Sequence, residues 1–412
     1  MGAAKVFIVG VGMTPLGKMP DRSVKDLTRE AVELALQDAA IAADRVQAAW
    51  FANTRQAMLE GQNTVRGQIA LRPLGFDGIP ITNVENACAS GSTALLQSVA
   101  FLQAGLAEVG LVVGAEKMFF PDKPEATSAA FKGGTDIYAI RATQDWANSL
   151  VPELIPADAG DAAGRSIFMD IYAAFARQHM QAFGTTQRQL AAVAAKNHHH
   201  STMNRLSQYQ SDMTIDEVLN DKEICWPFTR SMCAPISDGA AAAVVCSEAA
   251  LGAFDRSRAI EIRGLSLASG TRREIDDYDN HIGRLAALKA YSQAGISAAD
   301  VDVAEVHDAT SFAEIAQIEN LGLCARGEGG PFSESGATAL GGSVPVNTSG
   351  GLVSKGHPVG ATGVGQVFEL VTQLRGEAGD RQVAGARVAV AENGGGFYDI
   401  EEAATTVTVL AH

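Results

Sequence analysis

The chain has 412 residues and a net charge of −15 at neutral pH, with a pI near 5.0. Hydrophobic residues make up 47% and charged residues 19%, which allows a large packed core and excludes an intrinsically disordered chain. The acidic balance also excludes a general nucleic-acid or membrane-surface binder, although a local basic patch is still able to hold an anionic ligand.

The length corresponds to about two or three domains of ~150 residues. Five cysteines without a paired spacing indicate a reducing compartment. The apolar start at residues 6–9 is too short for a signal peptide, and no apolar run reaches the roughly 18 residues of a membrane span. We therefore expect a cytoplasmic protein with no membrane span and no nucleic-acid partner.

The first part of the chain is predicted to alternate strands and helices. Gly10 and Gly12 follow the first strand as in a dinucleotide-binding loop, but Pro15 stands where that loop needs a third glycine. We therefore favour a buried strand that ends in a Gly-rich loop. The predicted elements are a strand over 5–12, a helix over 21–40, strands over 48–52 and 81–84, a helix over 95–106 and a strand over 109–114.

A turn of small residues around Cys88 joins the strand at 81–84 to the helix that follows. Small residues let the backbone bend sharply there. The helix N-terminus favours a thiolate at this position, and its free N–H groups are able to hold a developing oxyanion. Cys88 is thus a candidate nucleophile. The alternative is a structural cysteine that packs as a small hydrophobic residue.

The region from about 117 to 235 breaks this alternation. Its loops contain proline and aspartate, and helical stretches are predicted over 166–184 and 188–200. We interpret the region as an insertion that lies over the core. A run of three histidines starts at His198, but consecutive residues on a helix point in different directions. A solvated helix end is therefore favoured over a metal cluster.

The last third of the chain repeats the order of the first. Residues 295–303 echo residues 40–46, and the strand that follows ends at His307. A Gly-rich turn over 350–363 contains His357 and precedes another helix. The predicted elements are strands over 237–246 and 259–264, a helix over 281–294, a strand over 303–306, a helix over 364–374 and a strand over 388–391.

Two halves of this kind would pack back to back. We predict an α/β fold of five layers, α-β-α-β-α, built from residues 1–255 and residues 256–412, with the inserted loop domain at about 117–235. A pseudo-twofold arrangement would bring the two special helix starts into one cleft. Cys88 and His357 would then meet although they are remote in sequence.

Cysteine and histidine from separate loops form an arrangement for nucleophilic catalysis, in which the imidazole takes the thiol proton and the thiolate attacks an acyl carbon. The residues beside His357, Gly356 and Pro358, leave its ring room to point into a cleft, although a lone histidine in a Gly-rich loop is more often structural. His307 precedes an acid, which suits a ring held in one tautomer that offers an N–H. Gly395, after the last strand, is placed to supply a backbone N–H to an oxyanion.

Three segments closely resemble the thiolase superfamily, and the nearest branch is the sterol-carrier-protein type of thiolase, a thiolase-like acyl-CoA acyltransferase. They are residues 86–92, residues 307–310 and residues 347–363. The resemblance covers nearly the whole chain and the order of both halves. The Gly-His-Pro turn with its Gly-Ala-Thr-Gly tail is highly specific to this family.

The resemblance implies a role for each candidate residue. Cys88 is the acylated nucleophile and His357 is its activating base. His307 lies in the hole that binds the thioester oxygen and steadies the enolate. The N–H groups of Cys88 and Gly395 form a second oxyanion hole.

The resemblance also implies the reaction and its substrate. A 3-oxoacyl-CoA is cleaved reversibly by coenzyme A into acetyl-CoA, or another acyl-CoA, and a shortened acyl-CoA. The acyl-CoA is a substrate, so no permanently bound cofactor and no metal is expected. A homodimer is expected too, formed by the strand and helix beside the nucleophile turn.

The chain departs from the family in one respect. Thiolases use a second acid/base, usually a cysteine in a Cys-x-Gly or a His-Asp-Cys-Phe motif, to move the proton at the α-carbon. The corresponding positions here are Asn393 and Ala309, so both places lack the cysteine. Glu392, Tyr398 and Asp399 lie near the site in sequence without an assigned role. General acid–base catalysis is worth ~10²–10⁴-fold in rate, so this departure has consequences.

Three hypotheses follow from the departure. The first is an acyl-CoA C-acyltransferase that works through an acyl-cysteine with a substituted acid/base. The second is a thiolase-like subunit of a complex with a small zinc-ribbon/OB-fold partner, acting as an acyltransferase or an aldolase. The third is a non-catalytic carrier of acyl-CoA or lipid.

Overall fold

The computed structural model describes residues 4–157 and 166–412. Its strands are β1 (Val6–Met13), β2 (Ala48–Ala52), β3 (Ile81–Val84), β4 (Val109–Glu116), β5 (Glu223–Cys225), β6 (Phe228–Thr229), β7 (Gly239–Ser247), β8 (Ile260–Ser269), β9 (Val303–Glu305), β10 (Val388–Gly395) and β11 (Ala404–Ala411). Its helices are α1 (Val24–Asp38), α2 (Gln56–Glu60), α3 (Arg66–Leu71), α4 (Ser90–Gln103), α5 (Pro124–Lys132), α6 (Ile140–Ser149), α7 (Ile167–Phe183), α8 (Gln187–Thr202), α9 (Ile215–Leu219), α10 (Ile282–Ala294), α11 (Ser311–Asn320), α12 (Gly329–Glu334) and α13 (Thr362–Leu374).

The main sheet has nine strands in the order β3-β2-β4-β7-β1-β8-β11-β10-β9. Each half of the chain contributes one block of strands, and the seam between the blocks is the pairing of β1 with β8. That pairing is limited to Phe7 with Glu261 and Ile8 with Ile260. Strand β2 is parallel to both of its neighbours, and β9 is parallel to β10. The division of the chain at residue 255 into two domains stays a prediction.

The central layer consists of α4 and α13, which lie side by side between the two blocks of the sheet. Leu95 and Leu102 of α4 share one buried cluster with Val367 and Leu374 of α13. Residues from both blocks, such as Trp50 of β2 and residues of β10, belong to the same cluster. The helices that begin at the two special turns therefore form the middle of the molecule.

The outer layers cover the opposite faces of the two blocks. Leu27 of α1 packs in a buried cluster with Phe51 and Val113 of the first block. In the second block, Ala290 of α10 packs in a cluster with Val409. The five-layer α-β-α-β-α fold predicted from the sequence is thus confirmed. Strands such as β4 and β7 are buried along their whole length, as expected for strands covered on both faces.

Gly10 and Gly12 lie inside β1 and face α1. A Cβ atom at Gly10 would lie 2.4 Å from the carbonyl oxygen of Ala35, and one at Gly12 would lie 2.4 Å from that of Ala31. These glycines therefore allow close packing of a helix on a strand. This agrees with a buried first strand and gives no support to a dinucleotide loop.

Two elements differ from the sequence-based prediction. Helix α4 begins at Ser90, five residues before the predicted start, because its first turn packs closely against the other half of the chain. A Cβ atom at Gly91 would lie 3.1 Å from the carbonyl oxygen of Gly360 and 3.0 Å from the nitrogen of Val364. Only small residues fit at this contact. In the sequence, the same small residues are typical of a loop. Strand β11 was not predicted, and it pairs along its length with β10 and β8.

The region at 117–235 is largely helical where it is described, with α5 to α9 and the hairpin β5–β6. Leu190, Val193 and Phe228 form a separate buried cluster, to which Phe312 and Ile315 of α11 also belong. The insertion is therefore packed onto the second half of the chain. None of the helices within residues 4–157 and 166–412 is long and apolar enough to cross a membrane.

The prediction of a solvated helix end for the histidine run is wrong for two of its three members. His198 and His200 are buried, at 3% and 1% exposure, and only His199 is exposed. A ring nitrogen of His198 contacts the carbonyl oxygen of Ser231 at 3.1 Å, and one of His200 contacts that of Asn347 at 3.0 Å. The last turn of α8 is buried against the neighbouring loops. The residue types of a helix end do not show whether it is buried.

Candidate active site

The two special turns meet at one point. The sulfur of Cys88 and a ring nitrogen each of His307 and His357 lie within 4.8 Å of one another. The two imidazole rings meet edge to face, with centroids 5.1 Å apart. Folding therefore brings together the three side chains that the sequence singled out, from positions up to 269 residues apart (357 − 88).

The turn before α4 positions Cys88 through a local network. Ala87 has a φ of 49°, in the left-handed region that a residue with a side chain rarely adopts. The hydroxyl of Ser90 accepts the backbone N–H of Asn86 at 2.8 Å and donates to the carbonyl of Ala87 at 2.6 Å. The backbone N–H of Ala87 in turn donates to the Glu85 carboxylate at 2.8 Å. The network holds the unusual conformation that presents the thiol at the helix start.

The His357 ring is held in one tautomer. Its Nδ1 lies 2.7 Å from the hydroxyl of Thr362, and that hydroxyl donates to the carbonyl of Pro358 at 3.1 Å. Because the hydroxyl proton is committed to Pro358, we assign the N–H of the imidazole to Nδ1. The lone pair of Nε2 is then free for a proton. The backbone N–H of His357 donates to the hydroxyl of Ser237 at 2.9 Å, which fixes the turn.

All three groups are neutral at pH 7. Cys88 borders a cavity but lies deep in the protein, and burial raises the pKa of its thiol to about 11. Burial lowers the pKa of His307 to about 4. Burial, helped by the neighbouring His307, holds the pKa of His357 well below its usual range. We expected the helix N-terminus to favour a thiolate, but desolvation outweighs it, so the thiol needs a base.

His307 is a buried imidazole whose two ring nitrogens both lack a hydrogen-bond partner within the described residues. Buried polar atoms are nearly always paired, so these nitrogens are suited to a ligand. The backbone N–H of His307 donates to the Glu392 carboxyl group at 3.0 Å. Burial, followed by the nearby Glu402, holds the pKa of Glu392 well above its usual range.

The three side chains line one end of a cavity of about 610 Å³. Its other walls come mainly from the inserted region and are largely apolar. Gly396 also lines it, and the backbone N–H of Gly396 forms a hydrogen bond to the sulfur of Cys88. The apolar wall residues include Phe119, Phe120, Phe131, Phe168, Met169 and Ile224.

Gly395 does not border this cavity in the way the sequence led us to expect. It packs beneath the nucleophile turn, where a Cβ atom would lie 2.3 Å from the carbonyl oxygen of Asn86 and 2.7 Å from the nitrogen of Ala89. Gly396 is the glycine on the cavity wall. The assignment of an oxyanion N–H to Gly395 stays a prediction, and Gly396 is a second candidate donor that the sequence did not indicate.

The two positions that lack the expected cysteine differ in their surroundings. Ala309 lines the cavity beside the histidines. Asn393 is buried behind the nucleophile, where its side-chain oxygen accepts the hydroxyl of Ser92 at 2.8 Å. Of the acids and phenols near the site in sequence, Tyr398 and Asp399 are exposed.

Two further cavity residues were missed by sequence reasoning. Arg55, before α2, and Tyr172, on α7, both line the cavity that contains Cys88. Neither belongs to a motif, and each is separated from the catalytic turns by tens of residues. No signal in the sequence marks them, because only the packing of the insertion brings them to this wall.

The three central side chains also form the one group of His, Cys, Asp or Glu in the described residues with spacing suited to a metal ion. Two imidazoles and a thiolate are donors that zinc accepts. A zinc ion would have to displace the thiol proton, which burial retains. The same spacing suits proton transfer from the thiol to an imidazole.

Comparison with known proteins gives two family matches. The model described as "Thiolase, N-terminal domain" matches residues 6–224, and the one described as "Thiolase C-terminal domain-like" matches residues 271–410. Sterol carrier protein 2 of Bos taurus is 36% identical over 401 residues, covering 94% of this chain and 70% of that protein. The acetyl-CoA acetyltransferase of Methanothermobacter thermautotrophicus is 35% identical over 396 residues, covering 95% of this chain and 96% of the relative.

Solved structures show the same fold. The Ltp2-ChsH2(DUF35) aldolase superimposes with a TM-score of 0.77 at 23% identity, covering 100% of this chain and 98% of the other. Human mitochondrial 3-ketoacyl-CoA thiolase superimposes with a TM-score of 0.69 at 16% identity, covering 100% and 99%. At these identities the likeness concerns the fold alone.

Proposed function

Because this chain belongs to the thiolase family, we propose that it is an acyl-CoA C-acyltransferase that cleaves or forms a 3-oxoacyl-CoA through an acyl-cysteine. The observation that carries the proposal is the meeting of Cys88, His307 and His357 within 4.8 Å at one cavity. A thiol, a neutral base and an unpaired N–H donor are the groups that acyl transfer requires.

In the thiolysis direction, Nε2 of His357 takes the thiol proton of Cys88. The thiolate attacks the 3-oxo carbon, and the bond between C2 and C3 breaks. The shortened acyl group stays on the sulfur, and the electron pair of the broken bond leaves as the enolate of acetyl-CoA. The proton held by His357 then passes to C2 of the enolate.

In the second half of the reaction, coenzyme A replaces acetyl-CoA. Its thiol proton passes to His357, and the resulting CoA thiolate attacks the acyl-cysteine carbonyl. The Cys88 thiolate leaves and recovers the proton from His357. A single imidazole therefore accepts and returns every proton. This route needs no second cysteine at position 393 or at position 309.

His307 has a separate role in this scheme. An N–H of its neutral ring donates to the oxygen of the thioester as the enolate forms. Because the ring is already desolvated and has no partner in the described protein, no hydrogen bond must break when the substrate arrives. The backbone N–H groups at Cys88 and at Gly395 or Gly396 receive the oxyanion formed at C3.

The first experiment is thiolysis of a panel of 3-oxoacyl-CoAs by the purified protein and CoA. We expect loss of the 3-oxoacyl-CoA absorbance and formation of two acyl-CoA products. Mass spectrometry after incubation with acetyl-CoA alone should find acetylation at Cys88. Absence of thiolysis across the panel, together with an unlabelled Cys88, would contradict the proposal.

A second candidate is a subunit of a complex with a small zinc-ribbon/OB-fold partner. The name of one structural neighbour, Ltp2-ChsH2(DUF35) aldolase, joins two proteins. Co-expression with a partner of this class tests it, and activity that appears only in the co-purified complex would favour it. A nucleophilic cysteine with its base supports acyl transfer over an aldolase reaction.

A third candidate is a carrier without catalysis, since several relatives are named sterol carrier protein 2. Binding of acyl-CoA without acylation of Cys88 would favour this candidate.

As a further proposal, the protein forms a homodimer through β3, which lies at one edge of the main sheet and exposes Thr82 and Asn83. An unpaired edge readily accepts a second strand. Light scattering during gel filtration measures the mass.

A further inference from the structure

Arg55 places a buried positive charge at the active-site cavity. The residue is 8% exposed and stands immediately before α2. One guanidinium nitrogen donates to the carbonyl of Ala130, and the group lies over the ring of Phe131 at 5.3 Å. Among the described residues, its Nε is buried without a hydrogen-bond partner. A guanidinium has five N–H donors, so most of its donor capacity is unused.

No carboxylate forms an ion pair with Arg55 in the ranges 4–157 and 166–412. Glu116 interacts electrostatically with Arg55, but its carboxyl group accepts hydrogen bonds at 2.7–3.0 Å from Asn53, Thr54 and Gly360. Arg55 contributes only its backbone N–H to that set. Burying an unpaired guanidinium is costly, so the unpaired charge calls for a partner that arrives with a ligand.

The other arginine of the same cavity wall is a useful contrast. Arg230 borders the cavity, but its side chain is 68% exposed and pairs with Asp221 at 2.8 Å. Lys117, which lies nearby, is likewise paired with Asp238 at 3.4 Å. Among the described cations of this region, Arg55 is the one that is both buried and unpaired.

The charge of Arg55 reaches the reacting groups. It favours the thiolate of Cys88 and disfavours the protonated form of His357. A ligand anion at this position therefore lies close to the carbon that the thiolate attacks. The phosphates of coenzyme A are separated from the thioester by the whole pantetheine arm, so they are poorly placed for Arg55. The anion has to belong to the acyl group.

We propose that the preferred substrate is a 3-oxoacyl-CoA whose acyl chain ends in a carboxylate, and that Arg55 binds this carboxylate. The inference rests on the proposed function, since it names the substrate class of the same site. A guanidinium pairs with a carboxylate through two parallel N–H groups. The apolar walls contributed by Phe119 and Phe131 would pack against the methylene groups between the carboxylate and the thioester.

The test compares two substrates of equal chain length, 3-oxoadipyl-CoA and 3-oxohexanoyl-CoA. We expect wild-type kcat/KM to favour the carboxylated substrate by at least roughly 30-fold, the scale of a buried charge pair. In Arg55→Gln the ratio should fall to near one, and Arg55→Lys should keep part of it. Arg230→Gln is the matched control, and the ratio should not change there.

Several outcomes would overturn the inference while leaving the proposed function intact. One is efficient thiolysis of the neutral substrate with no preference for the carboxylated one. Another is an equal loss on both substrates in Arg55→Gln, which would mean that Arg55 acts on the thiol alone. If Arg55→Gln does not fold, the wild-type ratio and Arg55→Lys still decide the matter.

A binding measurement separates this inference from the chemistry. Calorimetry with succinyl-CoA and butyryl-CoA, both four-carbon acyl groups, should show at least roughly 30-fold tighter binding of succinyl-CoA. Selective binding of succinyl-CoA without any thiolysis would support the Arg55 site and contradict the acyltransferase proposal. Equal affinities would refute the Arg55 site.

Discussion

The two turns that contain Cys88 and His357 both need left-handed backbone angles, and they stabilise those angles in different ways. The cysteine turn places its left-handed conformation on a residue with a side chain, Ala87, and stabilises it by local hydrogen bonds. The histidine turn uses glycines, with φ of 103° at Gly350 and 118° at Gly356. Glycine adopts these angles without steric cost. Cys88 is thus presented by a turn with a strained residue, whereas the glycines in the turn of His357 are unstrained.

The support behind the turns differs as well. Behind the histidine turn, the carboxyl group of Asp308 accepts the backbone N–H of Leu352 at 2.6 Å, and Glu305 pairs with Lys355 at 3.2 Å. All of these groups are buried. The cysteine turn rests instead on the close approach of Gly395. The base is therefore positioned by buried polar groups, and the nucleophile by tight backbone packing.

The sharpest test of the comparison is to remove each reactive group in turn. Cys88→Ala should abolish acylation and lower turnover by about 10⁴-fold, because the covalent intermediate is lost. His357→Gln should lower turnover by about 10²–10⁴-fold and slow acylation of Cys88. Steady-state kinetics and mass spectrometry measure both. Cys324→Ser and His199→Gln, at positions away from the cavity, are matched controls. Activity that survives in Cys88→Ala would contradict the acyl-cysteine.

The position of Ala309 allows a gain of function. Ala309→Cys puts a thiol on the cavity wall beside the histidines, where a second acid/base would serve the α-carbon. We expect thiolysis to rise by about 10²-fold, the lower end of general acid–base catalysis. Ala309→Ser adds a group of similar size without an easily ionised proton, so it should gain little. Equal rates for the two variants would show that proton transfer at C2 is not limiting.

Exchanging glycine and alanine within the cysteine turn and directly beneath it tests where strain lies. Gly395→Ala brings a Cβ atom against the backbone oxygen of Asn86 at 2.3 Å, so the free energy of unfolding should fall by about 1–3 kcal/mol. Ala87→Gly relieves a strained φ but adds chain entropy on unfolding, so we expect a change within about 1 kcal/mol. Urea denaturation measures both. A larger loss for Ala87→Gly would show that its side chain, and not its strain, matters.

The last prediction concerns acid stability. The pKa of His307 falls from 6.5 to about 4 on folding, so the unfolded chain binds this proton more readily. Its contribution to stability is present above pH 6.5 and is lost as the pH falls toward 4. Melting temperatures of the wild type and His307→Gln should therefore converge over that interval. A difference that stays constant from pH 7 to pH 4 would contradict a neutral buried ring.

Much of the fold was predictable because its signals are local. The strands at 48–52 and 81–84 were placed with their observed bounds. Residues 48–52 form a short apolar run, and β-branched residues dominate 81–84. The helix start at Ser90 was missed, because small polar residues have weak helix propensity and only contact with the other half of the chain makes them helical. Strand β11 was missed as well, and it is defined by its neighbours in the sheet.

The candidate site divides in the same way. Cys88, His307 and His357 stand in turns whose residue types and spacing carry the chemistry, so they were found without coordinates. Arg55 and Tyr172 stand in no motif and reach the cavity only through packing. The protonation of the thiol was also predicted in the wrong direction. A helix dipole can be read from the sequence, whereas the depth of burial that outweighs it cannot.

The sequence by itself therefore determined the order of the elements, the family resemblance and the choice of the three candidate side chains, because each depends on neighbours within a few residues. Within residues 4–157 and 166–412, the tertiary structure decided which faces are buried, which nitrogens of His307 lack a partner and which positive charge has no counter-ion. These properties arise when segments hundreds of residues apart exclude water together. For that reason the candidate side chains could be predicted from the sequence, whereas the proposed substrate class could be inferred only from the tertiary structure.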